Sequence, residues 1–273
     1  MRQLPLIVIA GVIILFSLFP FYWTVVTAIK PPEAVFELPP TYWPRQWSLE
    51  NFEKVFIKRP FGRYVANSIL VATGATGLCL TGASILAAYL RRLSVVRALW
   101  LQRWLLVLAI IPPTVLVIPI FWVIHSLGLI NHPLGLVLSY TILNLPFAVW
   151  ILYAGFSRIP RELDEAARVD GLSFWEILWY VLLPLGRPSL AVCAALVFIF
   201  CWNEFLIALT LMPDEKHYTV PVGVAMLSGS SVYEIPWGEI NAAVTITTLP
   251  VILMVVLLKR WILEGLTSGA IKG

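Results

Sequence analysis

Apolar residues run along this chain in long unbroken blocks, without the alternation or the one-sided periodicity of a soluble fold. Six blocks, at 4–29, 64–90, 101–126, 135–156, 189–211 and 240–256, reach or approach the about 20 helical residues needed to cross a bilayer. Blocks of this kind predict helices, because a membrane strand needs only about 9–11 residues of alternating character. Pro20, Pro112, Pro113, Pro119, Pro146 and Pro250 fall inside the blocks. In a bundle they are expected as kinks, since neighbouring helices re-satisfy the freed carbonyls. The third and fourth blocks are separated by the tight turn HSLGLINHP. The expected architecture is all-α: one polytopic membrane domain over 1–273, with six spans and a cytoplasmic segment at 157–188. The first block exceeds the about 7–15 residues of a signal-peptide core, and five more blocks follow it, so it is read as a span.

The polar residues between the blocks give the orientation. With the N-terminus inside, the cytoplasmic face carries Arg2, Arg91, Arg92, Arg97, Arg103, Arg158, Arg161, Arg168, Arg187, Lys259, Arg260 and Lys272. The opposite face has Lys30, Arg45, Lys54, Lys58, Arg59, Arg63 and Lys216, all but the last in one longer loop. The positive-inside rule therefore favours both termini in the cytoplasm. The outer loop from Lys30 to Arg63 is rich in Pro and aromatics and suits a semi-rigid piece that packs. Within it, SLENFEKVF is expected to form a short amphipathic helix capped at Ser48. A second outer segment at 212–239 shows no strong periodicity.

Composition agrees. Sixty per cent of the residues are apolar and 12% charged, against about 45–50% and about 25% in ordinary globular proteins. The mean hydropathy is +0.88, which excludes a cytosolic enzyme, a disordered chain and a secreted disulfide scaffold. The net charge of +4 does not indicate nucleic acid, because the charges separate membrane blocks and the implied partner is lipid. Cys79, Cys193 and Cys201 lie inside apolar runs with no CxxC pair and read as small buried side chains. His125, His132 and His217 fall in outer loops, away from carboxylates at catalytic spacing.

The segment SRIPRELDEAARVDGLSFWEILWYVLLPLGRPSL carries the most local signal. Pro160 stands where a helix can begin, and Glu162, Asp164 and Glu165 crowd its first turns, where the macrodipole favours negative charge. Arg161–Glu165 and Asp164–Arg168 are i,i+4 pairs. Gly171 follows as a stop free to adopt positive φ, and Ser173 with Glu176 forms an S-x-x-E capping box. The second helix is expected to end before Pro184. Two short helices at an angle across a glycine exceed what a connector needs. Two readings stay open on the residues alone: a helix docking into a groove on another protein, or an amphipathic helix lying on lipid.

Glu165-Ala166-Ala167, Asp170-Gly171 and Leu183-Pro184, in this order and spacing between the fourth and fifth spans, resemble the EAA loop of bacterial ABC-importer permeases. The SLENFEKVF loop, the YTILNLPFAVW and CWNEFLIALTL spans and the GLTSGAIKG terminus are similar to the maltose-type carbohydrate permeases, in particular to the shorter, six-span subunit. The resemblance implies half of a translocation pore in a bacterial or archaeal inner membrane. Its partners are then a second homologous permease, two copies of an ABC ATPase and an extracytoplasmic solute-binding protein. It further implies that Glu165, Ala166, Ala167, Asp170, Gly171, Leu183 and Pro184 couple to the ATPase. The tail with Gly265, Gly269 and Gly273 then reaches toward the ATPase dimer. No cofactor belongs to this chain; ATP and Mg sit on the partner ATPase.

The residues agree that ATP chemistry lies elsewhere. Gly77-Leu-Cys-Leu-Thr-Gly82 has phosphate-loop glycine spacing, but Ala83-Ser84 follows where Lys and Ser/Thr are required. With Gly74, Ala83 and Ala87 it reads as a close-packing helix face. Intramembrane polar groups are functional candidates. Glu204 with Asn203 is either a contact on the solute path or a carboxylate locking two helices. Asn144 either meets a solute or satisfies a carbonyl freed by Pro146. Asn67 and Ser68 read as caps or interhelical hydrogen bonds. The alternatives are a glycerol-phosphate importer permease and an ion-coupled secondary transporter, which predicts several buried carboxylates.

Overall fold

The structure, a computed structural model, describes residues 4–228 and 235–270. The elements are α1 (Leu4–Ala28), α2 (Glu50–Lys58), α3 (Phe61–Arg92), α4 (Val95–Ile110), α5 (Pro113–Ser126), α6 (Pro133–Phe156), α7 (Arg161–Val169), α8 (Phe174–Leu185), α9 (Arg187–Asn203), α10 (Leu206–Leu211), α11 (Val220–Ala225) and α12 (Trp237–Ala270). Among the described residues, α1, α3, α6 and α12 are each long and apolar enough to cross a membrane. Two further pairs reach that length together but bend sharply: α4 and α5 by 93°, α8 and α9 by 82°.

The core is the α3–α6 pair, with α9 packed on both. Ala72, Ala75, Cys79, Ala83 and Ala87 of α3 are buried, and their small side chains let α6 approach closely, as membrane packing without a hydrophobic drive requires. The close-packing face read from the sequence includes Gly74 and Gly82 besides the alanines and Cys79, since a Cβ on either glycine would come within 3.3 Å of Val137 or Leu145 of α6. A Cβ at Gly77 meets open space, so that glycine takes no part. At the other end of α6, a Cβ on Gly155 would collide with Ser189 of α9, so the two helices cross almost backbone to backbone. α1 leans on α12, and its apolar side chains from Leu6 to Phe21 lie open to the surroundings, as lipid-facing positions do.

Four expected elements differ. The third block is no kinked rod, because Ile111–Pro112 leaves the helix with both residues extended and α5 restarts at Pro113. Two adjacent prolines remove two amide donors, and the residue before a proline is driven out of the α region. The fifth block breaks at Glu204, which is extended at φ −69° and ψ 126°. Nor does the second short helix, after Gly171, end before Pro184. It runs to Leu185 through a π turn at Leu178–Leu182, and Gly186 follows at the bend into α9. A wider turn just ahead of a proline relieves the clash between its ring and the preceding carbonyls. The helix read over the sixth block is longer than expected, from Trp237 through Pro250 to Ala270.

At the opposite end of the bundle from Arg91, the Lys30–Arg63 loop packs as expected. The Tyr22 hydroxyl donates to the Tyr42 carbonyl at 2.5 Å, and the Lys30 ammonium lies 4.9 Å from the Trp23 ring centre. Asn51 Nδ2 donates to the carbonyls of Ala28 and Lys30 at 3.0 and 2.7 Å, satisfying the end of α1. Ser48 accepts from the Glu50 amide at 3.1 Å at the start of α2. Asn67 and Ser68 hold the last outer segment: Asn67 donates to the Lys216 and Tyr218 carbonyls, and Ser68 accepts from the Val220 amide.

Glu215 completes that tie, accepting from the Tyr64 hydroxyl at 2.6 Å and from Arg59 at 2.9 Å. Those two donors hold its carboxyl below its ordinary value of 4.5. A depressed carboxylate pKa favours the folded tie above the ordinary value, and the benefit is lost as pH falls through the depressed one. Acidification below about pH 4.5 is therefore expected to loosen the Glu215–Tyr218 turn, and Glu215→Gln to remove the pH dependence. Amide hydrogen exchange of this turn, measured from pH 6 to pH 3.5, checks it; equal pH responses in both proteins contradict it.

Candidate functional site

One end of the bundle presents an ordered two-helix elbow. α7 starts after the extended residue Pro160 and ends in a complete Schellman motif. Gly171, at φ +85°, donates its amide to the Arg168 carbonyl, and the Leu172 amide donates to the Ala167 carbonyl, both at 3.0 Å. A Cβ on Gly171 would meet nothing, so the requirement for glycine is one of backbone conformation alone. α8 then begins with the expected capping box. Glu176 accepts from the Ser173 amide at 2.7 Å, and Ser173 accepts from the Glu176 amide at 3.4 Å. The Ser173 hydroxyl and amide hold the Glu176 carboxyl below its ordinary value.

α7 has two faces. Asp164 and Ala167 are buried against this chain's own core, whereas Glu165, Ala166, Asp170 and Gly171 are exposed and Val169 is 87% exposed. Of the two alanines expected to offer close approach to a partner, only Ala166 is therefore open; Ala167 belongs to the bundle. Asp164 does not pair with Arg168 as the i,i+4 spacing suggests. It turns inward to Arg91 at the end of α3, Nε to Oδ2 at 2.8 Å, with both side chains nearly buried. The Arg91 guanidinium also donates to the Phe156 carbonyl at the end of α6 and to the Pro160 carbonyl at 3.1 Å. Reading the chain counts Arg91 only as an inner-face charge. Removing either partner of such a buried pair leaves an uncompensated charge, at about 3–5 kcal/mol. Arg92 lies 4.4 Å from the ring centre of Phe174, the first residue of α8.

Leu183 and Pro184 are half-buried in the last turn of α8. Gly265 and Gly269 stand within α12, and Gly273 lies outside the described residues.

The polar candidates of the spans separate. Glu204 accepts from the Tyr140 hydroxyl at 2.8 Å and from the amides of Ile207 and Ala208 at 2.8 and 3.1 Å. It thus caps α10 across the break and fastens it to α6, the helix-locking alternative. Asn144 donates to the Tyr140 carbonyl at 2.8 Å, not to Ile142, whose carbonyl Pro146 frees. It also lines a cavity of about 370 Å³ between the α4–α5 break and α6, with Leu108, Pro113, Leu143 and Phe200. Asn203 donates to the Ile199 carbonyl at 2.8 Å and borders a second cavity, beside Trp202, Thr247 and Thr248. Asn144 and Asn203 therefore do not share a site. Among the described residues no cluster of His, Cys, Asp and Glu is arranged to hold a metal ion.

Residues 80–266 match the family described as binding-protein-dependent transport system inner membrane component. The chain is 37% identical to the trehalose/maltose transport system permease protein MalG of Thermococcus litoralis, over 100% of this chain and 98% of that protein. It is 33% identical to the trehalose transport system permease protein SugB of Mycobacterium tuberculosis, over 94% and 93%. It is also 33% identical to the sulfoquinovosyl glycerol transport system permease protein SmoH of Agrobacterium fabrum, over 97% and 92%. In shape it is similar to a chain of a bacterial ABC transporter involved in the import of the acidic polysaccharide alginate. The TM-score is 0.78 at 21% identity, covering 96% of both chains, which shows a shared fold. An apolar bundle with an ordered elbow at one end and end-to-end relatives that are permeases have one explanation. This chain belongs to the binding-protein-dependent inner membrane components, the multi-pass, non-catalytic permeases of ABC importers, which work with ATPase and solute-binding partners.

Proposed function

We propose that this chain is one of two homologous permease subunits of a carbohydrate importer, with both termini in the cytoplasm of a bacterium or archaeon. Two copies of an ATPase subunit bind ATP and Mg inside, and a solute-binding protein delivers sugar outside. The observation that carries the sugar assignment is the identity of 37% along the whole chain to a trehalose/maltose permease. The six spans are α1, α3, the broken α4–α5 pair, α6, α9 with α10, and α12.

α7 is the coupling helix. Its outer ridge of Glu165, Ala166 and Val169 seats in a cleft of the ATPase, with Asp170 and Gly171 at the turn. Ala166 permits close backbone approach, Glu165 supplies a charge for a basic groove, and Ala167 seals the opposite face to the bundle. Leu183 and Pro184 carry the movement through α8 toward α9, while Gly265 and Gly269 lie on the helix that points toward the ATPase dimer. Asn203, exposed beside one cavity, and Asn144, buried but lining another, are the polar candidates of this chain for the solute path, whereas Glu204 is engaged in the break.

The complete transporter in proteoliposomes, given a panel of mono- and disaccharides and of anionic sugar derivatives, tests the assignment. Disaccharide-stimulated ATP hydrolysis with matching uptake is expected. Stimulation by anionic solutes alone favours the second reading, a permease of the kind that carries glycerol phosphates or, like the Agrobacterium relative, is named for sulfoquinovosyl glycerol. Uptake driven by an ion gradient without ATP overturns both.

A further inference from the structure

Neighbouring arginines at the inner end of α3 hold opposite limbs of the elbow. Arg91 is 5% exposed and makes three directed contacts: the Asp164 carboxylate on the inner face of α7, the Pro160 carbonyl at its start, and the Phe156 carbonyl at the end of α6. Arg92 turns the other way and lies over the Phe174 ring at the start of α8. The only chain link between the two limbs is the turn Asp170–Ser173, with Gly171 at positive φ. A two-residue arginine bracket therefore spans the turn and adds directed polar contacts to the apolar ones that Ala167, Ile177 and Leu178 make with the core.

We infer that Arg91 and Arg92 are the positioning residues that make the elbow a rigid extension of the α3–α6 pair, so that displacement of α7 moves those spans instead of being absorbed at Gly171. This rests on the assignment of α7 as the coupling helix. The chemistry suits the task. A guanidinium offers five donors in a fixed plane and can grip a carboxylate and two carbonyls at once, whereas a lysine ammonium is a point charge on a flexible stem. The carbonyl of Phe156 belongs to the last turn of α6, where backbone acceptors lack helical partners and the macrodipole favours a cation. Burial removes the water that would compete for these contacts. The Arg92–Phe174 contact adds a cation–π restraint on the second limb, weaker and more exposed than the first. Of the two, Arg91 carries the larger share.

The experiment uses the whole transporter reconstituted with its ATPase and binding protein, and reads the number of ATP molecules hydrolysed per solute imported. Arg91→Lys keeps the charge and Arg91→Gln removes it; Arg92→Gln probes the second limb; Glu165→Lys, on the outer ridge, serves as the comparison for docking. The expected result, on equal amounts of assembled complex, is ATP spent per solute raised at least tenfold in Arg91→Lys and in Arg91→Gln, and several-fold in Arg92→Gln, with the yield reduced in Arg91→Gln, which leaves Asp164 unpaired. The distinguishing mark is hydrolysis that continues without transport, which loss of fold does not produce. Unchanged stoichiometry in both Arg91 variants, beside an uncoupled Glu165→Lys, overturns the bracket and leaves the coupling helix standing. Unchanged stoichiometry in Glu165→Lys as well removes the coupling assignment itself. Failure of both Arg91 variants to assemble also overturns the bracket, because it assigns these residues to movement rather than to assembly.

Discussion

Gly171→Pro is expected to reduce solute uptake to background and to abolish the response of ATP hydrolysis to solute. The residue sits at φ +85° and donates its amide to the Arg168 carbonyl. Proline fixes φ near −65° and has no amide proton, so the substitution removes the Schellman turn and the bond that closes it, at about 3 kcal/mol or more. It also drives Asp170, the C-cap of α7 at φ −72° and ψ 0°, toward extended backbone. The limb carrying Glu165 and Ala166 is then aimed elsewhere. Gly171→Ala is the graded control. Space is open around the added methyl, leaving only the left-handed backbone at about 1–2 kcal/mol, and a partial loss is expected. Transport and solute-stimulated hydrolysis measured side by side in proteoliposomes, on equal amounts of assembled complex, decide it. Full activity in Gly171→Pro would sink the elbow as the coupling element.

Glu204→Leu is expected to lower the thermal midpoint of the purified complex by several degrees and to impair transport. The carboxylate serves the amides of Ile207 and Ala208 and the hydroxyl of Tyr140 at a helix break inside an apolar bundle. Leucine fills the space and leaves three donors with no acceptor, at about 1–3 kcal/mol for each group that water does not reach. Glu204→Gln retains one acceptor oxygen, so a smaller shift is expected. Tyr140→Phe removes the hydroxyl along with its need and is expected to be the mildest of the three. Thermal unfolding of the three variants in detergent measures the order. Equal midpoints in Glu204→Leu and the unsubstituted protein would mean that the break is held by something other than this carboxylate.

Much of the elbow could be read from local chemistry. A proline, an acidic first turn, a glycine and an S-x-x-E box act on backbone groups within four residues of themselves, and the structure has all of them in their expected roles at Pro160, Gly171, Ser173 and Glu176. The partner of Asp164 was not legible. Arg168 stands four residues away, and Arg91 is 73 residues away in sequence; only the crossing of α3 with α7 brings the latter within 2.8 Å. Glu204 shows the same limit. Its place in an apolar run marked it as costly to bury, but its role as a cap depended on where the helix breaks and on Tyr140 arriving from α6. Of the two roles open to Asn144, the carbonyl freed by Pro146 is not the one it serves; it donates to Tyr140, because an asparagine on a helix most readily reaches the carbonyl one turn behind it.

Hydropathy alone determined that this chain lives in a bilayer and that its elements are helices, because transfer of apolar blocks between water and hydrocarbon depends on composition and order along the chain. Only the tertiary structure decided that the third block bends by 93° at Ile111–Pro112, that the fifth breaks at Glu204, and that Arg91 and Arg92 meet the two limbs of the elbow. Those outcomes turn on which distant groups meet once helices pack. A buried charge accepts whichever partner the packing brings within hydrogen-bond reach, and nearness in sequence has no say in that.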